Sequence, residues 1–212
     1  MAMSFNETLE RFNRKERNLL IRTVLGHSQD VPLRLPESFC NQLTDALELP
    51  RTKPEEVRWW TDYHLNWLVA ALKIFGDETA IGRRHINPAI KPNLEDLDLL
   101  VGIDGPKPQL IGIEAKNRHF NREDKEQIKS KLERLDPLYH LFSDVGIGFH
   151  FMFMTPLHYD PTKGLELSSW PWVYKKSWLH LMPCDAEQPL LLECSRFAPG
   201  RREGEKYWRC IP

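Results

Sequence analysis

No apolar run approaches the roughly 18 residues that a membrane-spanning helix requires, and the opening MAMSFNETLERFNRKER is polar and charged, unlike a secretory leader. A membrane span and a signal peptide are therefore excluded, and the cytoplasm is the expected location. Cysteine is scarce. Cys40, Cys184, Cys194 and Cys210 are too few to staple 212 residues and contain none of the close pairs of a zinc site, so they read as reduced thiols. An excess of charge is missing as well: 29 Lys and Arg stand against 30 Asp and Glu, a formal net charge of −1. Without a global basic field, any phosphate-facing surface must be a local patch. Internal repeats, low-complexity tracts and a glycine-rich phosphate loop are also absent.

What is present is enough apolar residue, 41% of the chain, to bury a sizeable core within one domain. The most informative stretch is 94–117, LEDLDLLVGIDGPKPQLIGIEAKN. Leu97, Leu99, Val101 and Ile103 alternate with Asp96, Asp98, Leu100 and Gly102, the period of two of a strand with one wholly apolar face. Asp104-Gly105-Pro106-Lys107-Pro108 is a turn, because glycine tolerates positive φ and proline cannot donate to a ladder. In the strand that follows, Ile111, Ile113 and Ala115 share one face, while Leu110, Gly112, Glu114 and Lys116 share the other. Both strands thus end in ionisable side chains. A carboxylate on so apolar a strand costs several kcal/mol in lost hydration unless it is paired or bound to a cation, so Asp98, Glu114 and Lys116 mark a candidate site. Two carboxylates suit Mg²⁺, which takes a few hard oxygens and keeps waters. The plainer alternative is a solvated hairpin end in which Asp98 caps a turn and Glu114 pairs with Lys116.

Asp98, followed after fifteen residues by Glu114-Ala115-Lys116, resembles the D…(D/E)-x-K signature of the PD-(D/E)XK nuclease superfamily, the restriction-endonuclease-like fold. Leu97 stands where the superfamily's name has proline. Glu123-Asp124-Lys125 also fits E-x-K, but it lies in a charged helical run without an apolar strand around it. The resemblance implies a three-layer α/β sandwich with a central mixed sheet in the order α-β-β-β-α-β. It implies a metal-dependent nuclease acting on nucleic acid, DNA ahead of RNA, with Asp98 and Glu114 holding Mg²⁺ or Mn²⁺ and Lys116 acting beside them. The alternative from another class is a non-catalytic module that keeps the fold to bind nucleic acid or a protein.

Along the chain, Ser4 to Glu7 fits a capping box that opens a helix to about Leu25, with Arg11, Arg14, Lys15, Arg17 and Arg22 on a basic face. A second helix is expected over 37–49. Residues 1–53 then form an N-terminal helical extension, 54–155 the core with the signature strands, and 156–212 C-terminal strands and a tail. Pro54 and Gly76 bracket a long predicted helix whose stripe is Trp60, Tyr63, Trp67, Leu68, Ala71 and Phe75. Glu56 and His64 project near that stripe and Asp62 opposite it. In the resembled superfamily the helix before the signature strands contributes one more acidic residue, which makes Glu56 the first candidate and Asp62 the second. His64 reads as a hydrogen-bonded core histidine. The helix after Lys116, with Ile128, Leu132 and Leu135 as its stripe and Pro137 as a break or kink, carries in relatives a polar residue over the metal, so Lys131 and Gln127 are further candidates. GIGFHFMFMT over 146–155 reads as a strand buried on both faces, and runs at 178–182 and 189–194 extend the sheet. In the tail, Arg196, Arg201, Arg202, Lys206 and Arg209 stand among Phe197, Tyr207 and Trp208, which fits either a tail docked on the core through Tyr207 and Trp208 or a surface for phosphates and stacked bases.

Overall fold

The computed structural model describes residues 4–12, 15–28, 33–85, 87, 90–92, 95–115, 122–156, 179–184, 193–197 and 207–211, with strand residues after 154 described by their backbone. The helices are α1 (Phe5–Glu10), α2 (Glu16–Val24), α3 (Glu37–Ala46), α4 (Leu65–Gly76) and α5 (Arg122–Asp144). One mixed sheet runs in the order β1 (Val57–His64), β2 (Asp96–Ile103), β3 (Gln109–Ala115), β4 (Gly148–Pro156), β5 (Leu179–Cys184). Strand β2 runs antiparallel to both β1 and β3, whereas β3, β4 and β5 run parallel. Helices α1, α4 and α5 share one core with the sheet, and α3 shares a second core on the other face. This is the three-layer α/β sandwich.

Each layer follows from its residues. Along β4, Phe149, Phe151 and Phe153 enter the α5 side and Met152 the α3 side, so the strand is apolar throughout because it is covered twice. Helix α5 presents Ile128, Leu132, Leu135, Leu138 and Phe142 at helical spacing, each contributing roughly 1.5–3 kcal/mol by its burial. It runs seven residues past Pro137 instead of stopping there. Pro137 and Glu133 are both exposed, so the carbonyl deprived of its donor faces water.

The predicted helix over 54–76 is half strand. Val57–His64 is β1, on the edge of the sheet, and only Leu65–Gly76 is helical. The helical spacing of Trp60 and Tyr63 has a different cause. Asp62 has φ 50°, a left-handed conformation that few non-glycine residues adopt. It turns the strand over, so Trp60 and Tyr63, three residues apart, enter the same core with ring centroids 5.9 Å apart. Their partners do likewise. Trp60 pairs with Leu100 and Tyr63 with Leu97, and both leucines lie in the α5-side core, while Leu99, Val101 and Ile103 face α3. The expected single apolar face of β2 is therefore broken at Asp98. Gly112 makes the reversal sterically feasible: a Cβ there would lie 3.0 Å from a Leu97 methyl.

Two further expectations change. The N-terminal helix divides into α1 and α2, because Leu9 is buried while Leu19, Leu20 and Val24 face solvent and continue no stripe. The last strands do not extend the main sheet: β6 (Glu193–Phe197) and β7 (Tyr207–Ile211) form a separate antiparallel ribbon. Among the described residues no helix is long and apolar enough to cross a membrane.

Candidate active site

The reversal point in β1 and β2 lies at one end of the sheet, where three carboxylates fall on one level. The β1–β2 register is constant on both sides of it and sets Asp62 opposite Asp98. One step beyond the last paired residues of β2 and β3, Leu99 and Ile113, Asp98 stands opposite Glu114. Asp98 is half-buried, and its Oδ2 accepts a hydrogen bond from the Ala115 backbone N–H at 2.8 Å, which ties the start of β2 to the end of β3.

Glu114 is only 3% exposed and forms an ion pair with Lys131, which reaches it from α5. Lys131 precedes Leu132 and follows Ile128 by three residues, so the packing of the helix stripe delivers the ammonium group to the sheet. A pair this deep is held by proximity, since each ion alone would lose several kcal/mol of hydration. A second pair lies one turn further along α5. Arg134, 2% exposed, donates to Glu95 at 3.0 Å and to Asn66 at 2.6 Å, and Ser130 donates to the other Glu95 oxygen at 2.6 Å.

On the β1 side, Asp96 Oδ1 contacts His64 Nδ1, and Asp96 Oδ2 accepts from Lys15 at 2.9 Å. Burial pushes the His64 pKa down from its ordinary value of 6.5, against the upward pull of Asp96. Its ring meets Trp67 edge to face at 4.3 Å. Asp62 accepts from Arg17 at 3.0 Å. Lys15 and Arg17 thus bind carboxylates of the sheet, and Arg22 pairs with Glu10, so much of the basic N-terminal face is engaged within the molecule.

The structure pairs Glu114 with Lys131 and, by register, sets Asp98 opposite Glu114 and Asp62 opposite Asp98. It does not bring Glu56, whose Oε2 accepts from the Lys53 N–H at 3.1 Å and whose carbonyl accepts from the Asp104 N–H at the far end of β1. Six residue steps along the strand separate Glu56 from Asp62, about 20 Å at roughly 3.3 Å each. Glu56 was favoured by a helical geometry that the strand replaces. Gln127 is exposed on α5, and Lys116 lies outside the described residues. Glu95, Asp96 and Arg134 were not singled out from sequence. The only signal was that Lys131 and Arg134 repeat at a spacing of three beside the apolar stripe.

Among the described residues no group of three or more His, Cys, Asp or Glu is placed to hold a metal ion. Asp98 and Glu114 are two hard-oxygen donors that the register sets opposite each other, the donor type that Mg²⁺ takes when waters complete its shell. In the structure the Glu114 carboxylate has Lys131 as its cation. No protein-family model, curated protein or solved structure matches the chain.

Proposed function

We propose that the chain is a metal-dependent phosphodiester hydrolase acting on nucleic acid, DNA ahead of RNA, in the cytoplasm. The observation that carries this reading is the register that sets Asp98 opposite Glu114, beside a lysine that the core delivers. Asp98 and Glu114 would hold Mg²⁺ or Mn²⁺, which when bound polarises a phosphate and acidifies a water. The remaining work belongs to the chain. The Ala115 N–H fixes the Asp98 carboxylate, so its oxygens are oriented before any ligand arrives. Lys131 pairs with the buried Glu114 and would place positive charge where charge develops on the phosphoryl oxygens. Lys116, two residues beyond Glu114 in sequence, would orient the attacking water or stabilise the negative charge that develops in the transition state.

The second reading, a non-catalytic module binding nucleic acid or protein, is favoured by the pairing of Glu114 with Lys131, which gives that carboxylate a cation from the chain itself. Cleavage of a generic DNA duplex in Mn²⁺ separates the two, with metal titration by calorimetry on the wild type, Asp98→Asn and Lys116→Met. Asp98→Asn should weaken metal binding and cleavage together. Lys116→Met should keep the metal while cleavage falls by roughly 10² or more. Cleavage at the wild-type level in either variant, or none by any of the three, sinks the hydrolase reading.

A further inference from the structure

The ribbon of β6 and β7 pairs Glu193 with Ile211, Cys194 with Cys210, Ser195 with Arg209, Arg196 with Trp208 and Phe197 with Tyr207. Two of the chain's four cysteines thus occupy one rung of an antiparallel ladder. Directly opposed Cα atoms in such a ladder are roughly 4.5 or 5.5 Å apart, depending on the rung. Both spacings fall inside the roughly 4.4–6.8 Å that a disulfide spans. Directly opposed residues of an antiparallel ladder share a face of the sheet. The other two cysteines are placed differently. Cys40 is buried in α3, within the core, and Cys184 is the last residue of β5 in the main sheet.

We propose that Cys194 and Cys210 are a redox-reversible clasp, joined as a disulfide by exchange with a small disulfide of the oxidised glutathione type. One thiolate attacks the small disulfide, forming a mixed disulfide and releasing one glutathione thiolate. The second protein thiolate attacks the cysteine sulfur of that mixed disulfide and releases the other. Two protein thiols are oxidised and one glutathione disulfide is reduced to two thiols, so the exchange balances. The physical reason for a clasp lies in the ribbon itself. Among the described residues it pairs with no further strand, and two strands of five residues alone are marginal in water. A bond between residues 194 and 210 closes the whole connection and removes freedom from the open form. It also holds Arg196 opposite Trp208, the next rung on the face shared by the cysteines.

The test uses the full chain in glutathione buffers of increasing oxidised fraction, quenched with acid, alkylated, digested without reduction and mapped by mass spectrometry. The expected result is a linked peptide pair joining Cys194 to Cys210, lighter by two hydrogens, abolished by dithiothreitol and present before any link to Cys40 or Cys184. In the double variant Cys194→Ser, Ser195→Cys, the thiol moves one residue to the other face of the strand, and the link to Cys210 should be lost. Equal linkage in that variant would show that proximity in the tail suffices and that the register does not govern it. A persistent mixed disulfide with glutathione, or Cys184 as the preferred partner, would equally overturn the clasp.

Discussion

Helices α2 and α5 both send cations to carboxylates at the same end of the sheet, and they do so by opposite constructions. Helix α5 buries an apolar stripe and carries Lys131 and Arg134 inward with it, so its ion pairs are by-products of hydrophobic docking. Helix α2 meets the sheet with its polar residues. Lys15 holds Asp96, Arg17 holds Asp62, and the buried Asn18 accepts from the Thr61 N–H at 3.3 Å, while Leu19 and Val24 stand 67% and 73% exposed. Similar charge pairs therefore differ in worth. Where water is excluded, the partner left behind by a deletion is stranded; where the side chain is mostly solvated, as with Arg17, the pair contributes little.

Removing the deepest charge should break this comparison most visibly. Lys131→Met is expected to cost about 4 kcal/mol in denaturant unfolding, because it removes the ion-pair cation of a carboxylate that stays buried, and adding Glu114→Gln should recover most of the loss. An unchanged stability in the single variant would mean that the pair is not sealed from water. Next in size, Leu132→Ala in α5 should cost about 3 kcal/mol by transfer and cavity terms. Leu20→Ala in α2, tested in the same urea titration, should stay within about 0.5 kcal/mol. A large effect at Leu20 would show that its exposed face is covered in solution.

Smaller still, Lys15→Met and Arg17→Met should each change stability by less than about 1 kcal/mol, with the difference shrinking as salt is added. The finest test concerns His64, whose burial lowers its pKa below 6.5. The unfolded chain then binds a proton that the folded chain resists. The stability this residue contributes is full above that value and is lost as pH falls through it toward the folded pKa. Wild type should lose more stability than His64→Gln between about pH 7.5 and about pH 5.5. Parallel pH curves would remove His64 from the linkage.

Much of the sheet was legible along the chain. Alternation located β2 and β3, and a continuous apolar run located β4, because strands covered on one or both faces write their burial into successive side chains. The helix over 54–76 failed for a physical reason. Periodicity assumes an unbroken period, and a single left-handed residue at Asp62 shifts a strand's phase, so that Trp60 and Tyr63 imitate a helical stripe. The same reversal hid the change of face between Leu97 and Leu99.

For the candidate site, the sequence by itself determined which carboxylates were costly: Asp98 and Glu114 stand in apolar strands, and desolvation makes that conspicuous without coordinates. It also determined the elements that carry them. Which cation answers each carboxylate was decided by tertiary structure alone. Glu114 meets Lys131 seventeen residues away, Asp96 meets Lys15 across 81, and Asp62 replaces Glu56 because β1 is a strand. Ion pairing depends on distance and burial in space, and neither is encoded at any fixed spacing along the chain.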